Sequence, residues 1–177
     1  MNSNVEISSK MKVHDLVLIS ILSASITAGK LALSFVPNVE VVSLLFMVYA
    51  VALGVKRTLM ISVIFATTEI FLYGFSTWVL GYYFVWPILI LATGLLKGSV
   101  KSEYGFAMIA GIFGLSFGFL FAMFESLFYG IAYGMAYWVR GIPLDIVHGA
   151  SNYVLAIILF NPLVKVFKKQ LNQYFSP

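Results

Sequence analysis

An all-helical membrane bundle is the fold this chain predicts, and three observations carry that reading. Hydrophobic residues make up 61% of its 177 residues and charged ones 10%, where soluble domains carry about 25% charge. With a mean hydropathy of +0.98 the chain has too little polar surface to cover a water-soluble globule. The apolar residues gather into six runs separated by short breaks, with no alternating pattern of the β-barrel kind. The third observation is the sorting of charge. Nine of the eleven Lys and Arg residues (Lys10, Lys12, Lys56, Arg57, Lys97, Lys101, Lys165, Lys168 and Lys169) fall at the N-terminus, in the even-numbered connections or at the C-terminus. Basic residues beside apolar spans mark the cytoplasmic side. The expected architecture is therefore one compact six-transmembrane-helix domain over residues 1–177, with both termini cytoplasmic.

Each run has its own limits. A spanning helix needs about 20 largely apolar residues. The first run covers about 15–36 and is broken by Pro37 and Asn38; its small-residue surroundings lack a convincing leader cleavage site, so it is read as a retained helix. The second, about 39–55, is short and ends at Lys56 and Arg57, and the third covers about 58–73. Tilt, bilayer thinning or a half-buried loop accommodates such short spans. A Gly- and aromatic-rich connection over 74–81 precedes the fourth span, about 82–96. The polar stretch 99–104 leads to the longest span, about 105–133. A connection over 134–143 holding Trp138 and Arg140 precedes the sixth span, about 144–167, and an amphipathic tail.

Composition also excludes functions. The net charge of +4 sits in short loops beside apolar spans, where it sets topology and meets anionic headgroups; it is not a nucleic-acid footprint. There is no cysteine, hence no disulfide and no thiolate metal site, and the two histidines, His14 and His148, lie at opposite ends of the expected bilayer. No nucleotide-binding glycine loop, H-E-x-x-H or G-x-S-x-G occurs.

The polar residues inside the spans fall toward the side opposite the bases. Asp145, His148 and Asn152 are spaced three then four apart, which places them on one helical stripe. Lipid is a costly environment for them, so the stripe faces the bundle interior or a cavity; Asp145 has the alternative of being a first-turn acid at a helix N-terminus. Trp78, Tyr82 and Trp86, four apart, form either an interfacial belt or a wall for stacking against a ring, and Pro87 frees a carbonyl behind them. Glu69 and Glu125, the latter with Tyr129 on its face, lie a turn or two inside their spans, and are either functional or structurally paired, Lys30 and His148 being available partners. Asn38 and Glu40 follow Pro37 either as an ordinary polar turn or as a lid over a site. In the first span Ser20, Ala24, Ala28 and Ala32 form a small-residue ladder. Such a ladder lets helices approach closely, either within the bundle or against another protein.

Together these residues resemble the substrate-binding S components of energy-coupling factor (ECF) vitamin transporters. The resemblance covers nearly the whole chain: small size, six spans, cytoplasmic termini and the Ala24-xxx-Ala28-xxx-Ala32 ladder. The segments Pro37-Asn38-Val39-Glu40-Val41-Val42 and Asp145-Ile146-Val147-His148-Gly149-Ala150-Ser151-Asn152 look like motifs of the S components for small ring vitamins and their precursors. The resemblance implies a multi-pass protein of the bacterial cell membrane, not itself an enzyme. Its ladder, Ser20 included, would dock on a transmembrane coupling subunit, and ATP and Mg would be bound by two partner ATPase subunits. It implies a substrate site built from Asn38, Glu40, Glu69, Tyr82, Trp86, Glu125, Tyr129, Asp145, His148 and Asn152, with no cofactor or metal in this chain.

The expected ligand side offers four acids, Glu40, Glu69, Glu125 and Asp145, against two bases, Lys30 and Arg140. That balance favours a neutral or weakly cationic ring with polar substituents, such as hydroxymethylpyrimidine or pyridoxine, over an anion repelled by carboxylates. Arg140 keeps pantothenate as the rival. Two other classes stay open: a membrane-embedded enzyme using Asp145, His148 and Glu125 as acid and base, and a structural membrane subunit, which explains the ladder but not the one-sided polar cluster.

Overall fold

A computed structural model describes residues 13–175, so the expected basic anchors Lys10 and Lys12 lie outside the described residues. Six helices and no strands occur among the described residues: α1 (Val13–Ala32), α2 (Val42–Ala52), α3 (Val55–Tyr73), α4 (Thr77–Leu96), α5 (Glu103–Tyr129) and α6 (Ile131–Phe175). Four of them, α1, α4, α5 and α6, are long and apolar enough to cross a membrane. The apolar α2 has only 11 residues. The protein is therefore a helical membrane protein.

Most helix ends follow from local chemistry. Gly54, at φ 88°, separates α2 from α3, so Lys56 and Arg57 open α3 instead of ending the second span. Gly74 and Gly130, at φ 83° and 84°, end α3 and α5; only glycine enters that region without strain. The hydroxyls of Ser76 and Ser102 cap α4 and α5 by accepting the amides of Val79 and Gly105, each at 3.3 Å. Helix α4 thus begins five residues before the expected 82, and the connection shrinks to 74–76.

The largest correction concerns α6. The segment 134–143, expected as a connection, is helical, and α6 runs unbroken through Gly134, Pro143 and Pro162. Gly134 is a contact residue here. A Cβ on it would meet the Ala122 carbonyl at 2.6 Å, with the Ser126 side chain closer still, so its lack of side chain lets α6 close on α5. At about 1.5 Å per residue the helix is roughly 67 Å long, about twice the bilayer core.

The α5–α6 pair continues this close approach. Gly111, Gly114 and Gly118 of α5 face Asp145, Gly149 and Tyr153 of α6. A Cβ on Gly114 would lie 2.8 Å from the backbone of His148 and Gly149, which cannot step aside. In lipid, where apolar burial drives little, such backbone proximity is what holds helices together. Gly114→Ala should therefore cost about 1–3 kcal/mol by overpacking. Gly98→Ala, where a Cβ meets nothing within 4 Å, is the control. Thermal unfolding of the two variants in detergent measures the difference.

Helix α1 lies parallel to α3, pinned at both ends. Arg57 donates two bonds to Asp15 Oδ1, at 2.9 and 3.1 Å, and at the other end Lys30 pairs with Glu69. Phe46, Phe65, Tyr82, Trp86, Phe113 and Phe121 form the buried aromatic centre between α2, α3, α4 and α5. The outer faces are apolar instead: Met108, Ile112, Leu115, Phe119 and Met123 make an exposed stripe along α5, as lipid-facing residues must.

The small-residue ladder lies on the exposed side of α1. Ser20, Ala24, Ala28 and Ala32 are all exposed, so the ladder is not packing inside this bundle. The Ser20 hydroxyl donates to the Leu16 carbonyl at 2.9 Å and leaves no unpaired polar group on that surface.

Candidate functional site

A cavity of about 580 Å³ opens at the end of the bundle where α1 runs into the 33–41 connection. Small-molecule sites occupy about 300–1,000 Å³. Its wall is formed by Lys30 of α1, by Leu33, Ser34 and residues 36–40 of the connection, by Trp78, Tyr82 and Trp86 of α4, Phe117 and Gly118 of α5, and the first half of α6.

The connection is tied down by its own polar residues. Asn38, at φ 56°, turns the chain, and its carbonyl accepts the Ser151 hydroxyl at 3.1 Å. Asn tolerates this left-handed conformation better than most residues. Glu40 Oε2 accepts the Ser43 amide at 2.9 Å, satisfying an orphan donor at the start of α2, while Oε1 lies 3.0 Å from His148 Nε2. Burial pushes the Glu40 carboxyl up, but the contacts with His148 and Ser43 outweigh it and hold it below the ordinary glutamate range. An ionised carboxylate only accepts, so His148 Nε2 carries the proton in this contact. The other ring nitrogen, Nδ1, is left as a second polar atom of the same side chain.

The Asp145–His148–Asn152 stripe faces inward, at 7%, 3% and 2% exposure. Asp145 stands 14 residues into α6, counted from Ile131, which removes the first-turn alternative for it. Its Oδ1 accepts the Gly118 amide at 2.9 Å. Only glycine permits this, because a Cβ at position 118 would collide with the carboxylate. Asp145 Oδ2, His148 Nδ1, Trp86 Nε1 and both amide atoms of Asn152 are buried and have no partner among the described residues. Buried polar groups are nearly always paired, and an orphan needs a reason. Four such residues lie at one end of the bundle, three of them in a cavity wall, where a carboxylate acceptor, an imidazole nitrogen and an indole N–H donor meet a small molecule.

Trp86 forms the floor. It is 3% exposed, and its ring lies 5.3–6.2 Å from those of Phe46, Phe65, Tyr82, Phe113 and Phe117. It is thus no interfacial belt residue, whereas Trp78 is partly exposed and also lines the cavity. Trp86→Phe keeps most of the ring and removes the Nε1–H. Where that donor contacts ligand, affinity should fall about tenfold, the scale of one lost hydrogen bond. Calorimetry checks it.

Of the ten residues expected at a site, Asn38, Glu40, Tyr82, Trp86, Asp145 and His148 line the cavity. Asn152 is buried one turn beyond His148 and outside the wall. Glu69 is fully buried behind Lys30, as one structural alternative anticipated. Glu125 accepts the Thr77 hydroxyl at 2.9 Å and clips α5 to the first turn of α4, where a carboxylate suits the helix dipole. Tyr129 is 56% exposed, packs on the wall residue Tyr133 and does not itself line the cavity. Glu125 therefore does not line the cavity with Asp145 and His148. Wall residues outside that expected set include Lys30, Phe117, Tyr133 and Tyr137. The last two lie in the segment expected as span end and connection, whose helical continuation carries the one sequence signal that finds them: aromatic residues four apart.

No protein-family model matches this chain, and neither a curated protein nor a solved structure matches it.

Proposed function

We propose that this protein is the substrate-binding S component of an ECF-type vitamin transporter, binding a small ring such as hydroxymethylpyrimidine or pyridoxine. The observation that carries the reading is the 580 Å³ cavity walled by Trp86, Asp145 and His148, each with a buried, partnerless polar atom. An aromatic floor suits a flat ring, and donor and acceptor atoms suit hydroxyl, amine and ring nitrogen. The exposed ladder on α1 suits docking by a coupling subunit, with two ATPase subunits and their ATP and Mg completing the transporter. Mass spectrometry of small molecules released on denaturing protein purified from its own cells tests the reading. A hydroxymethylpyrimidine- or pyridoxine-sized heteroaromatic supports it; ligand-free protein that also binds neither compound when supplied opposes it.

The reading includes orientation. Six spans, both termini in the cytoplasm of a bacterial cell membrane and the cavity facing outward agree with the placement of nine bases. Ser76→Cys should react with an impermeant thiol reagent outside intact cells and Ser102→Cys should not. The reverse pattern turns the cavity to the cytoplasm.

One observation favours a second ligand. Lys30 and Arg140 both line the cavity, and Arg140 has no ion-pair partner within the distance of a salt bridge among the described residues. A carboxylate ligand such as pantothenate would satisfy it.

A further inference from the structure

Lys30 occupies an unusual position for a pocket residue. Its ammonium pairs with Glu69, which is fully buried, and sits 4.4 Å from the ring centroid of Tyr73, 5.1 Å from that of Tyr82 and 5.2 Å from that of Trp78. Three aromatic rings and a carboxylate around one positive nitrogen are the constellation that recognises quaternary and alkylated ammonium ligands. Here a side chain of the protein fills it. The cage is continuous with the cavity, because Lys30, Trp78 and Tyr82 all belong to the cavity wall. Glu69 Oε1 has no hydrogen-bond partner among the described residues, so the carboxylate keeps acceptor capacity beyond the lysine contact.

We propose that Lys30 is a specificity-determining residue: its ammonium fills the Tyr73–Trp78–Tyr82–Glu69 cage and thereby keeps organic cations out of the cavity. A ligand cation entering the cavity meets a fixed like charge where the aromatic faces would otherwise attract it. Its competitor is tethered and needs no entropy of association. The proposal rests on the cavity being the binding site, and it narrows the ring to its uncharged form: a weakly basic ring binds neutral, and an N-alkylated relative is rejected.

The prediction is a gain of binding, which a merely structural ion pair would not give. Choline is the probe, titrated by calorimetry into wild type, Lys30→Ala and the double variant Lys30→Ala/Glu69→Gln. The double variant keeps the rings and leaves no unpaired buried charge, so it holds the test open if Lys30→Ala alone fails to fold. Choline affinity should rise at least about tenfold over wild type in Lys30→Ala, and by less in the double variant, where only the rings attract. Wild type binding choline as tightly as the variants, or neither folded variant gaining affinity, overturns the proposal. Hydroxymethylpyrimidine and pyridoxine are titrated into wild type in the same series. Failure of both rings removes the vitamin reading, while the choline comparison still decides the role of Lys30.

Discussion

Replacing His148 by Ala should weaken ring binding by about ten- to hundredfold, because the cavity loses the hydrogen-bonding atom Nδ1 and its counterpart on the ligand goes unsatisfied, a cost of about 1–3 kcal/mol. The same change removes the 3.0 Å contact from Nε2 to Glu40 and so loosens one of the two contacts that tie the 33–41 connection to α6. Glu40→Gln separates the two effects. It keeps a hydrogen-bonding group toward His148 and should be milder. Asn152→Leu makes a further contrast. Its amide atoms are buried without partners, so a leucine of similar volume should leave stability unchanged or raised. Calorimetry for binding and thermal unfolding for stability measure both.

Replacing Ala28 by Leu should abolish assembly with a coupling subunit, and with it uptake, while leaving ring affinity near that of wild type. Ala28 is exposed at the centre of the ladder, with Ala24 and Ala32 one turn away on either side. A leucine there meets nothing inside the bundle and so does not strain the fold. It does hold a partner helix away at a surface whose attraction is close van der Waals contact. Ala24→Leu should behave alike. Co-purification with partner subunits and uptake by intact cells are the readouts. Normal assembly of both variants would show that the ladder is only a lipid-facing surface.

What the sequence made legible follows its periodicity. Asp145, His148 and Asn152 were readable as an inward stripe because spacings of three and four admit one helical face, and lipid excludes the opposite orientation. Trp86, two turns inside Trp78, lay deeper than a belt requires, which kept a pocket wall open beside the belt reading. Depth does not give rotation about the helix axis, however. Glu125 and Tyr129 were therefore grouped with the site although one bonds Thr77 and the other is exposed. Thr77 itself was hidden because the start of α4 was placed at 82, beyond the Ser76 cap.

The first half of α6 was illegible for a related reason. Gly134 and Pro143 bounded the expected connection, but Gly134 serves close packing against Ser126, and one missing amide at Pro143 does not end a helix held along α5. That misreading removed Tyr133 and Tyr137 from the expected wall. Lys30 and Glu69, 39 residues apart, were only one of several possible pairs until the parallel packing of α1 and α3 brought them together.

Calorimetric titration of purified wild type and His148→Ala with hydroxymethylpyrimidine, pyridoxine and pantothenate tests the central claim most directly. The account predicts that wild type binds one of the two ring compounds and that His148→Ala weakens it at least about tenfold. Wild-type binding of pantothenate alone, or ring binding untouched by His148→Ala, contradicts it.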